Sequence, residues 1–425
     1  MIRNKLNKYI KSEYLKNIIV LATGTSISQV IPLLISPLVT RLFTPEEFGI
    51  FALYISLCSL MVNISTGAYE QAALLPKNET KAIAITVLSI SISFVFCFVL
   101  FFLILFFSTE VIQVLNTEKI NKFIYLIPLS IWLTSSSQSI IILMNRYKKY
   151  SYISKNRILQ VSSDSSVKIG LGLLNFKTSG LVFGCVVGQI IGFFHYGIQF
   201  IKKLKEVYSE ITKTLLISLA KRYSDFPKFR IPSLFLNNFT FQVPVFLLSG
   251  FYGVEIVGFF ALAQRVFNTP MRIISRSIWH VFIQQAKEDF DSKGNCKSLF
   301  DKTTKNLARI SIIPFILIFL VAPKLFPFIF GENWSMTGKF IQVITIFSFF
   351  RFIAAPMRSL FIITEHQRED LVWQICYFIG SVIAIYLGYI LYNNSIYSIL
   401  FYALNGAFFY VISYFITKKY SYGKT

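Results

Sequence analysis

Charged residues are scarce in this chain, and their scarcity argues against a soluble protein. They make up 15% of the 425 residues, whereas a typical soluble protein carries roughly 25%. Hydrophobic residues make up 54%, and no polar stretch is long enough to form a separate soluble domain. The composition therefore indicates a membrane protein.

Cysteine, histidine and the usual catalytic motifs are also rare or absent. The chain has five cysteines and three histidines, and no two cysteines form a CxxC pair. Four of the cysteines lie in apolar runs, where we interpret them as small buried hydrophobes. The sequence contains no HExxH, nucleophile elbow or P-loop lysine motif. We therefore expect no enzyme activity, no metal site and no cofactor.

Long apolar runs dominate the sequence instead. Twelve of them are close to the ~20 residues that a helix needs to cross a bilayer. A chain in lipid must satisfy its own backbone hydrogen bonds, so each run is predicted to be a helix. We predict an all-α membrane protein with twelve transmembrane helices. The predicted spans are 17–40, 47–67, 82–107, 122–144, 153–175, 180–201, 230–250, 254–281, 307–329, 338–363, 370–392 and 395–416.

Lysine and arginine are distributed unevenly between the two sides of the predicted membrane. With the N-terminus in the cytoplasm, and with residues near span ends counted in the adjoining segments, inner segments hold 30 of the 42, outer segments hold 6, and the span interiors hold 6. Such a bias over short loops is the positive-inside pattern of membrane proteins. We therefore expect both termini in the cytoplasm. The same bias explains the net charge of +22 without a nucleic-acid partner.

A short motif occurs twice in the chain, 209 residues apart. EEFGIFAL at 46–53 matches EIVGFFAL at 255–262 in five of eight positions. Each copy begins the second span of a six-span half, so the two halves are predicted to be a parallel internal repeat. We expect an N-lobe at 1–201, a cytoplasmic linker at 202–229 and a C-lobe at 230–425.

Several cations lie within the predicted spans, and three arginines of the eighth span form a stripe. Arg272 and Arg276 follow Arg265 by 7 and 11 residues, which places all three on one helix face. An ionisable side chain that faces lipid costs at least about 2.5–3.5 kcal/mol, so we expect this stripe to line a polar cavity. Arg272 and Arg276 have an alternative, because long side chains near a helix end reach the headgroups. Arg351 and Arg358 share one face of the tenth span.

The sign of the interior charges predicts an anionic ligand. Lys168 joins the five arginines, against the single acid Asp164, and arginine can hold two phosphate oxygens at once. Asp164 and Lys168 are also spaced for an i,i+4 pair, which serves either structure or ion coupling. Arg41 ends the first span, where it either joins the cationic lining or anchors the helix at the headgroups. Glu70 follows the second span.

Two stretches near the N-terminus resemble a known family of transporters. They are SQVIPLLISPLVTRLFTPEEFGIFALYIS at 28–56 and GAYEQAALLPKN at 67–78. Both are similar to the polysaccharide repeat-unit flippases (O-antigen type) of the MOP superfamily, whose MATE-like fold has two six-helix bundles. The twelve-span layout extends the resemblance over almost the whole chain.

The resemblance implies a function and a set of partners. These flippases move undecaprenyl-diphosphate-linked oligosaccharides from the cytoplasmic to the periplasmic leaflet of the bacterial inner membrane by alternating access. The implied partners are this glycan substrate, membrane lipids, a polysaccharide polymerase and a chain-length regulator. A cationic, substrate-binding lumen is also implied, and only its first two candidates lie in the matching motif. The candidates are Arg41, Glu70, Lys168, Arg265, Arg272, Arg276, Arg351 and Arg358.

Two other functions compete with the flippase. A small-molecule or multidrug exporter of the same fold would favour acids in the N-lobe, and the first span, 17–40, contains none. A membrane polysaccharide polymerase or ligase would carry a large outer loop, and every predicted outer loop is short. Both features favour the flippase.

Overall fold

Every regular element that the structure describes is helical. The computed structural model describes residues 13–115 and 118–423, and their side chains except those of residues 13–23, 25, 111, 113–115 and 272. These ranges contain no strand, so the predicted all-α class is confirmed. Their longest helices, each of 20 residues or more, are α1 (Glu13–Leu42), α2 (Pro45–Ser65), α3 (Glu79–Leu115), α4 (Ile127–Arg146), α5 (Tyr150–Leu173), α6 (Thr178–Val207), α7 (Ile231–Tyr252), α8 (Val254–Lys293), α9 (Lys297–Phe330), α10 (Ser335–Ala354), α11 (Gln367–Tyr392) and α12 (Ser395–Ser421).

Each predicted span falls on one of these twelve helices, although fewer of them meet the criteria for a membrane span. Within the described residues, nine are long and apolar enough to cross a membrane. Helices α5 and α8 fall outside the nine, and α1 contributes a shorter apolar stretch, Ser26–Leu42. The count of twelve spans stays a prediction. The N-terminal tail, predicted to be cytoplasmic, lies outside the described residues as far as residue 12.

Helix α2 begins where it does because the sequence supplies a capping box. The Thr44 amide donates to the Glu47 carboxylate at 2.8 Å, and the Glu47 amide donates to the Thr44 hydroxyl at 3.3 Å. These bonds satisfy two of the amides that a helix start leaves without partners. Pro45 takes the first helical position, where a missing amide costs nothing. The sequence of the turn after Arg41 therefore determines where α2 begins.

The chain divides into two compact units. The described residues of Met1–Phe43 and Ile50–Gln242 form the first unit, and those of Thr44–Gly49 and Val243–Thr425 form the second. In the first unit α3 packs on α4, α4 on α6 and α5 on α6. In the second, α9 packs on α10, α10 on α12 and α11 on α12. Each pair in the second unit follows its counterpart by six helices, which agrees with the predicted duplication.

A short surface helix, Lys213–Arg222, lies within the predicted linker and packs in the first unit. Its Leu219 is 3% exposed and joins a small core with Ala72 and Ile85. The hydroxyl of Tyr69 donates to the carbonyl of Ala220 at 3.0 Å. The helix therefore holds the turn between α2 and α3 in place. The limits predicted for the linker and the two lobes stay predictions.

Helices α5 and α6 approach closely because α6 carries a stripe of glycines. Gly184, Gly188 and Gly192 recur every four residues and share one helix face. A Cβ at Gly184 would lie 2.5 Å from Cγ of Lys168, and one at Gly188 would lie 2.8 Å from the carbonyl oxygen of Gln160. No side chain fits at either position. Small residues of this kind let helices in a membrane pack backbone to backbone.

Helices α3 and α4 are joined by buried serine pairs. The hydroxyl oxygens of Ser89 and Ser139 are 2.8 Å apart, and those of Ser93 and Ser135 are 2.6 Å apart. All four serines are fully buried. Lipid offers little hydrophobic drive for helix association, so hydroxyl pairs and close packing hold such helices together.

Candidate functional site

The predicted site residues fall into two sets, one in each unit. Arg41, Glu70, Asp164 and Lys168 belong to the first unit, and the five arginines from Arg265 to Arg358 belong to the second. Arg41 lies exposed in the last turn of α1. Whether Arg41 joins the cationic lining or anchors the helix at the headgroups therefore stays open.

Lys168 and Asp164 form a mostly buried ion pair on α5. The Lys168 Nζ is 2.7 Å from Oδ1 of Asp164, and Lys168 is 5% exposed. The ammonium also lies 4.5 Å from the centroid of the Phe51 ring, whose face attracts a cation. Acid and ring together stabilise a charge that would be costly to bury alone. The i,i+4 pair predicted from the sequence is thus present, and its role in ion coupling stays a prediction.

The polar face of α5 continues beyond this pair toward its N-terminus. The Asn156 amide donates to the Gly192 carbonyl at 2.8 Å and lies 2.9 Å from Nδ1 of His195. The His195 ring stacks on Tyr152, with centroids 4.4 Å apart. Helix α5 has a low mean hydropathy because its polar side chains face α6, another helix of the same unit. These contacts agree with a packing role for His195.

Glu70 lies in a buried turn between α2 and α3. Ala68 begins the turn with a φ of 56°, and a 3-10 helix, Tyr69–Leu74, follows. Glu70 is 3% exposed, and its Oε2 accepts no hydrogen bond from any residue that the structure describes. Burial raises the pKa of Glu70, and the Thr66 hydroxyl and the Arg230 charge offset only part of that effect. This carboxyl holds a proton more tightly than an exposed glutamate does.

Two arginines outside the predicted set hold this turn in shape. Arg146 at the end of α4 donates to the carbonyls of Ala73 at 3.3 Å and Lys77 at 3.1 Å. Arg230 donates from Nε to the side-chain oxygen of Gln71 at 3.1 Å. From the sequence, both arginines are predicted only to be cations of the inner loops. A count of the charges in the inner loops does not show which arginine binds the backbone or side chains of this turn, so the roles of Arg146 and Arg230 were not predicted.

Arg358, in the turn after α10, forms an ion pair with Asp370 at the start of α11. It donates from Nε at 3.2 Å and from Nη2 to the same oxygen, Oδ1. The other oxygen, Oδ2, accepts from the amide of Gln374 at 2.8 Å. The guanidinium also lies 3.9 Å from the centroid of the Trp373 ring. The charge of Arg358 is therefore balanced within its own unit.

Arg351 lies on α10 beside aromatic side chains. Its guanidinium carbon is 5.7 Å from the centroid of the Phe347 ring. The Phe347 ring in turn lies 6.0 Å from that of Tyr402 and 5.6 Å from that of Tyr410. Sequence spacing placed Arg351 in mid-span, and the rings from α12 that surround it have no local signature in the sequence.

Two further rings connect the surroundings of Arg351 and Arg358. Trp373, which Arg358 covers, stacks on Tyr377 with ring centroids 5.4 Å apart. The Tyr377 hydroxyl oxygen is 3.4 Å from that of Tyr402. We call these five rings the aromatic cluster. Its members are Phe347, Trp373, Tyr377, Tyr402 and Tyr410.

The arginine stripe of the eighth predicted span lies on α8. This helix runs from Val254 to Lys293 and contains Pro270, and the shared face of the three positions stays a prediction. Arg265 is half-buried and Arg276 is exposed. The side chain of Arg272 lies outside the described residues. Whether the stripe lines a cavity stays a prediction.

The chemistry available at these positions is anion binding rather than bond making. Guanidinium groups bind phosphate oxygens in pairs, and the buried Phe347 ring packs beside the guanidinium of Arg351. Among the described residues, no group of three or more histidine, cysteine or acidic side chains is arranged to hold a metal ion.

Comparison with known proteins gives a family. The model of a family described as "Polysaccharide biosynthesis protein" matches residues 38–339, more than half of the chain. The teichuronic acid biosynthesis protein TuaB of Bacillus subtilis (strain 168) is 24% identical over 170 residues. That match covers 39% of this chain and 33% of TuaB, so it spans about a third of the relative's length.

Three solved structures with a similar fold are membrane transporters or flippases. The lipid II flippase MurJ, in an inward closed conformation, matches with a TM-score of 0.72 and 16% identity over 94% of this chain and 87% of that chain. An inward-facing multidrug transporter of the MATE family matches with a TM-score of 0.62 and 12% identity, over 94% and 93%. A MOP superfamily transporter from Pyrococcus furiosus matches with a TM-score of 0.63 and 12% identity, over 98% of each chain.

These identities establish the fold alone. The predicted MATE-like fold is confirmed, and the chain is a multi-pass membrane protein. The three solved structures described above are a flippase and two transporters, which agrees with the prediction that the chain is not an enzyme.

Proposed function

Because the chain belongs to the polysaccharide biosynthesis protein family, we propose that it is a flippase for lipid-linked oligosaccharides. Its substrate is an oligosaccharide repeat unit carried on undecaprenyl diphosphate. It moves this lipid from the cytoplasmic to the periplasmic leaflet of the bacterial inner membrane by alternating access, with both termini in the cytoplasm. A polysaccharide polymerase and a chain-length regulator act on the product.

The observation that carries this proposal is the excess of arginine over acid along two helices of the second unit. Helix α8 holds Arg265, Arg272 and Arg276, and α10 holds Arg351. Neither α10 nor residues 256–287 of α8 contain an acidic residue. A diphosphate supplies the negative charge that such a surface binds best, because each guanidinium can hold two of its oxygens.

The aromatic cluster fixes the position of the Arg351 guanidinium. Its five rings are only 4–6% exposed, and the Phe347 ring centroid lies 5.7 Å from the guanidinium carbon. Rings packed in this way hold the guanidinium in place, so that its planar fork can bind two oxygens of a diphosphate.

A deletion strain tests the function in the cell. Without the gene, lipid-linked repeat units accumulate on the cytoplasmic leaflet and surface polysaccharide is lost. The wild-type gene restores the polysaccharide, Arg351→Lys restores part of it, and Arg351→Gln restores little. Lysine keeps the charge but lacks the planar guanidinium of arginine, and glutamine lacks both. The matched control is Arg309→Gln, which removes an exposed arginine of α9 and restores fully.

Two results contradict the proposal. One is normal surface polysaccharide in a deletion strain that has no second transporter of this fold. The other is resistance to cationic drugs on overexpression, with no change in polysaccharide, which indicates a small-molecule exporter. Purified protein in vesicles separates the two directly, because only a flippase exposes a fluorescent diphosphate-linked oligosaccharide to a quencher outside.

A further inference from the structure

A cavity of about 450 Å³ lies in the second unit between α9, α10 and α12. This volume is within the roughly 300–1,000 Å³ range of ligand pockets. Its walls are mostly apolar, with Phe349, Phe350 and Ile353 from α10 and Val411 and Phe415 from α12. The predicted site residues that the structure describes are not part of its lining, and the cavity meets the aromatic cluster only at Tyr410.

Two opposite charges line the same cavity. Asp301 and Lys305 are one helical turn apart on α9, and both border the space. Asp301 is half-buried and Lys305 is exposed. They form no salt bridge with each other or with any other side chain in the described part of the chain. Both charges are therefore available to a ligand that carries a cation and an anion.

The cavity lies at the depth of lipid headgroups. Asp301 and Lys305 precede the apolar run of α9, which begins near residue 307. On α12 the cavity is lined by Tyr414, and the Lys418 ammonium in the last turn lies 5.9 Å from that ring. Tyrosine is enriched at the interface between membrane and water, and lysine near a helix end reaches toward the headgroups.

We propose that this cavity binds phosphatidylethanolamine from the leaflet at the basic ends of these helices. The Lys305 ammonium binds the lipid phosphate, and the Asp301 carboxylate accepts hydrogen bonds from the primary ammonium of the headgroup. The aromatic walls hold part of an acyl chain. The charge pattern favours this lipid over the diphosphate of the transported substrate, which Asp301 repels.

Headgroup chemistry distinguishes this lipid from its neighbours. Phosphatidylglycerol carries the phosphate but no cation for Asp301. Phosphatidylcholine carries a cation whose nitrogen has no N–H to donate. Charge-assisted hydrogen bonds are stronger than neutral ones, so the lipid with the primary ammonium binds best.

Native mass spectrometry of the purified full-length chain tests the site. The protein in detergent is titrated with phosphatidylethanolamine, phosphatidylcholine and phosphatidylglycerol of identical acyl chains. We expect the wild type to retain phosphatidylethanolamine about tenfold more tightly than either of the others. Asp301→Asn removes this preference and leaves phosphatidylglycerol binding unchanged or stronger. Lys305→Gln weakens binding of both phosphatidylethanolamine and phosphatidylglycerol.

Two further variants guard against an indirect effect on folding. Lys302→Gln changes an exposed lysine beside Asp301 that does not line the cavity, and it keeps the wild-type preference. Ala308→Phe fills the cavity wall without changing charge and weakens all three lipids together. Equal binding of the three lipids by the wild type, or an Asp301→Asn variant that keeps the preference, overturns the proposal. Neither result bears on transport, since the assay measures lipid binding alone.

Discussion

Gly49 and Gly258 pack against each other where the first turns of α2 and α8 cross. A Cβ at Gly49 would lie 1.7 Å from the carbonyl oxygen of Val254, and one at Gly258 would lie 1.8 Å from that of Pro45. The contacts are reciprocal, because Pro45 and Val254 each precede their glycine by four residues. The two glycines of the repeated motif therefore form the centre of one symmetrical helix crossing.

Replacing either glycine with alanine forces the two helices apart. Because the obstructing atoms are backbone oxygens, they cannot rotate away, and we expect Gly49→Ala and Gly258→Ala each to lower the free energy of unfolding by about 1–3 kcal/mol. Thermal unfolding of the purified variants in detergent measures the loss. The matched control is Gly250→Ala, where a Cβ would meet no atom within 4 Å.

The double variant distinguishes a shared crossing from two separate effects. Once the first alanine has separated the helices, the second meets a gap that is already open. We expect the loss in the Gly49→Ala/Gly258→Ala variant to fall short of the sum of the single losses, as it does for residues in direct contact. Additive losses contradict the crossing.

The repeat and the interior charges were readable from the sequence because each has a local or periodic signal. The motif at 46–53 returns at 255–262, and a charge within an apolar run is conspicuous since its burial is costly. The side chain that contacts a buried charge cannot be predicted in this way. Lys168 contacts Phe51, and Arg358 forms an ion pair with Asp370. The first contact joins residues more than a hundred positions apart in the chain, so no local pattern predicts it.

The glycine stripe of α6 is a sequence pattern that predicts which helix α6 packs against. Gly184, Gly188 and Gly192 are visible at a spacing of four, and the polar residues of α5 follow the same spacing from Asn156 to Lys168. Matching the two stripes predicts that the helices pack face to face. Because each span was predicted singly, this pairing of α5 with α6 was not predicted.

The Asp164–Lys168 pair is tested by removing one charge and then both. Asp164→Asn leaves the mostly buried Lys168 ammonium without its acid, and breaking a buried pair in this way costs about 3–5 kcal/mol of unfolding free energy. The double variant Asp164→Leu/Lys168→Met recovers most of that loss, because it leaves no buried charge. Thermal unfolding measures both effects, and an Asp164→Asn variant as stable as the wild type contradicts the contribution of the pair.

The same double variant separates structure from ion coupling. If it folds and still flips substrate in vesicles at the wild-type rate, the pair is structural. If it folds but loses transport that depends on an ion gradient, Asp164 is part of the coupling site. The transport rate is compared at equal amounts of folded protein.

The buried Glu70 carboxyl predicts a pH-dependent stability. Burial raises the pKa of Glu70 in the folded state above its ordinary value of 4.5, so the folded chain binds this proton more tightly than the unfolded chain does. The stabilising contribution is complete below that ordinary value and is lost as the pH rises through the raised pKa. Glu70→Gln stays neutral and escapes the loss.

Melting temperatures from about pH 4 to about pH 8 check the sign. We expect the Glu70→Gln variant to gain on the wild type as the pH rises through this range. Glu332→Gln serves as the control, because that glutamate is exposed at the start of a turn in the second unit. A difference between Glu70→Gln and the wild type that does not change with pH rules out the titration.

Arg358 and Arg351 are predicted to respond differently to the loss of their charge. The acid Asp370 already balances Arg358, and the Trp373 ring covers it at 3.9 Å, so Arg358→Gln chiefly leaves a partly buried carboxylate without its partner. We expect this change to lower the melting temperature, and Asp370→Asn to lower it by a similar amount because both remove the same contact. Arg351 is one of the arginines that the proposed function assigns to the diphosphate, so Arg351→Gln is expected to reduce transport at equal amounts of folded protein more than Arg358→Gln does. Melting curves and vesicle transport, measured on the same preparations, give the two effects separately. Equal loss of transport in both variants, with no change in melting temperature, contradicts the assignment and places Arg358 at the substrate as well.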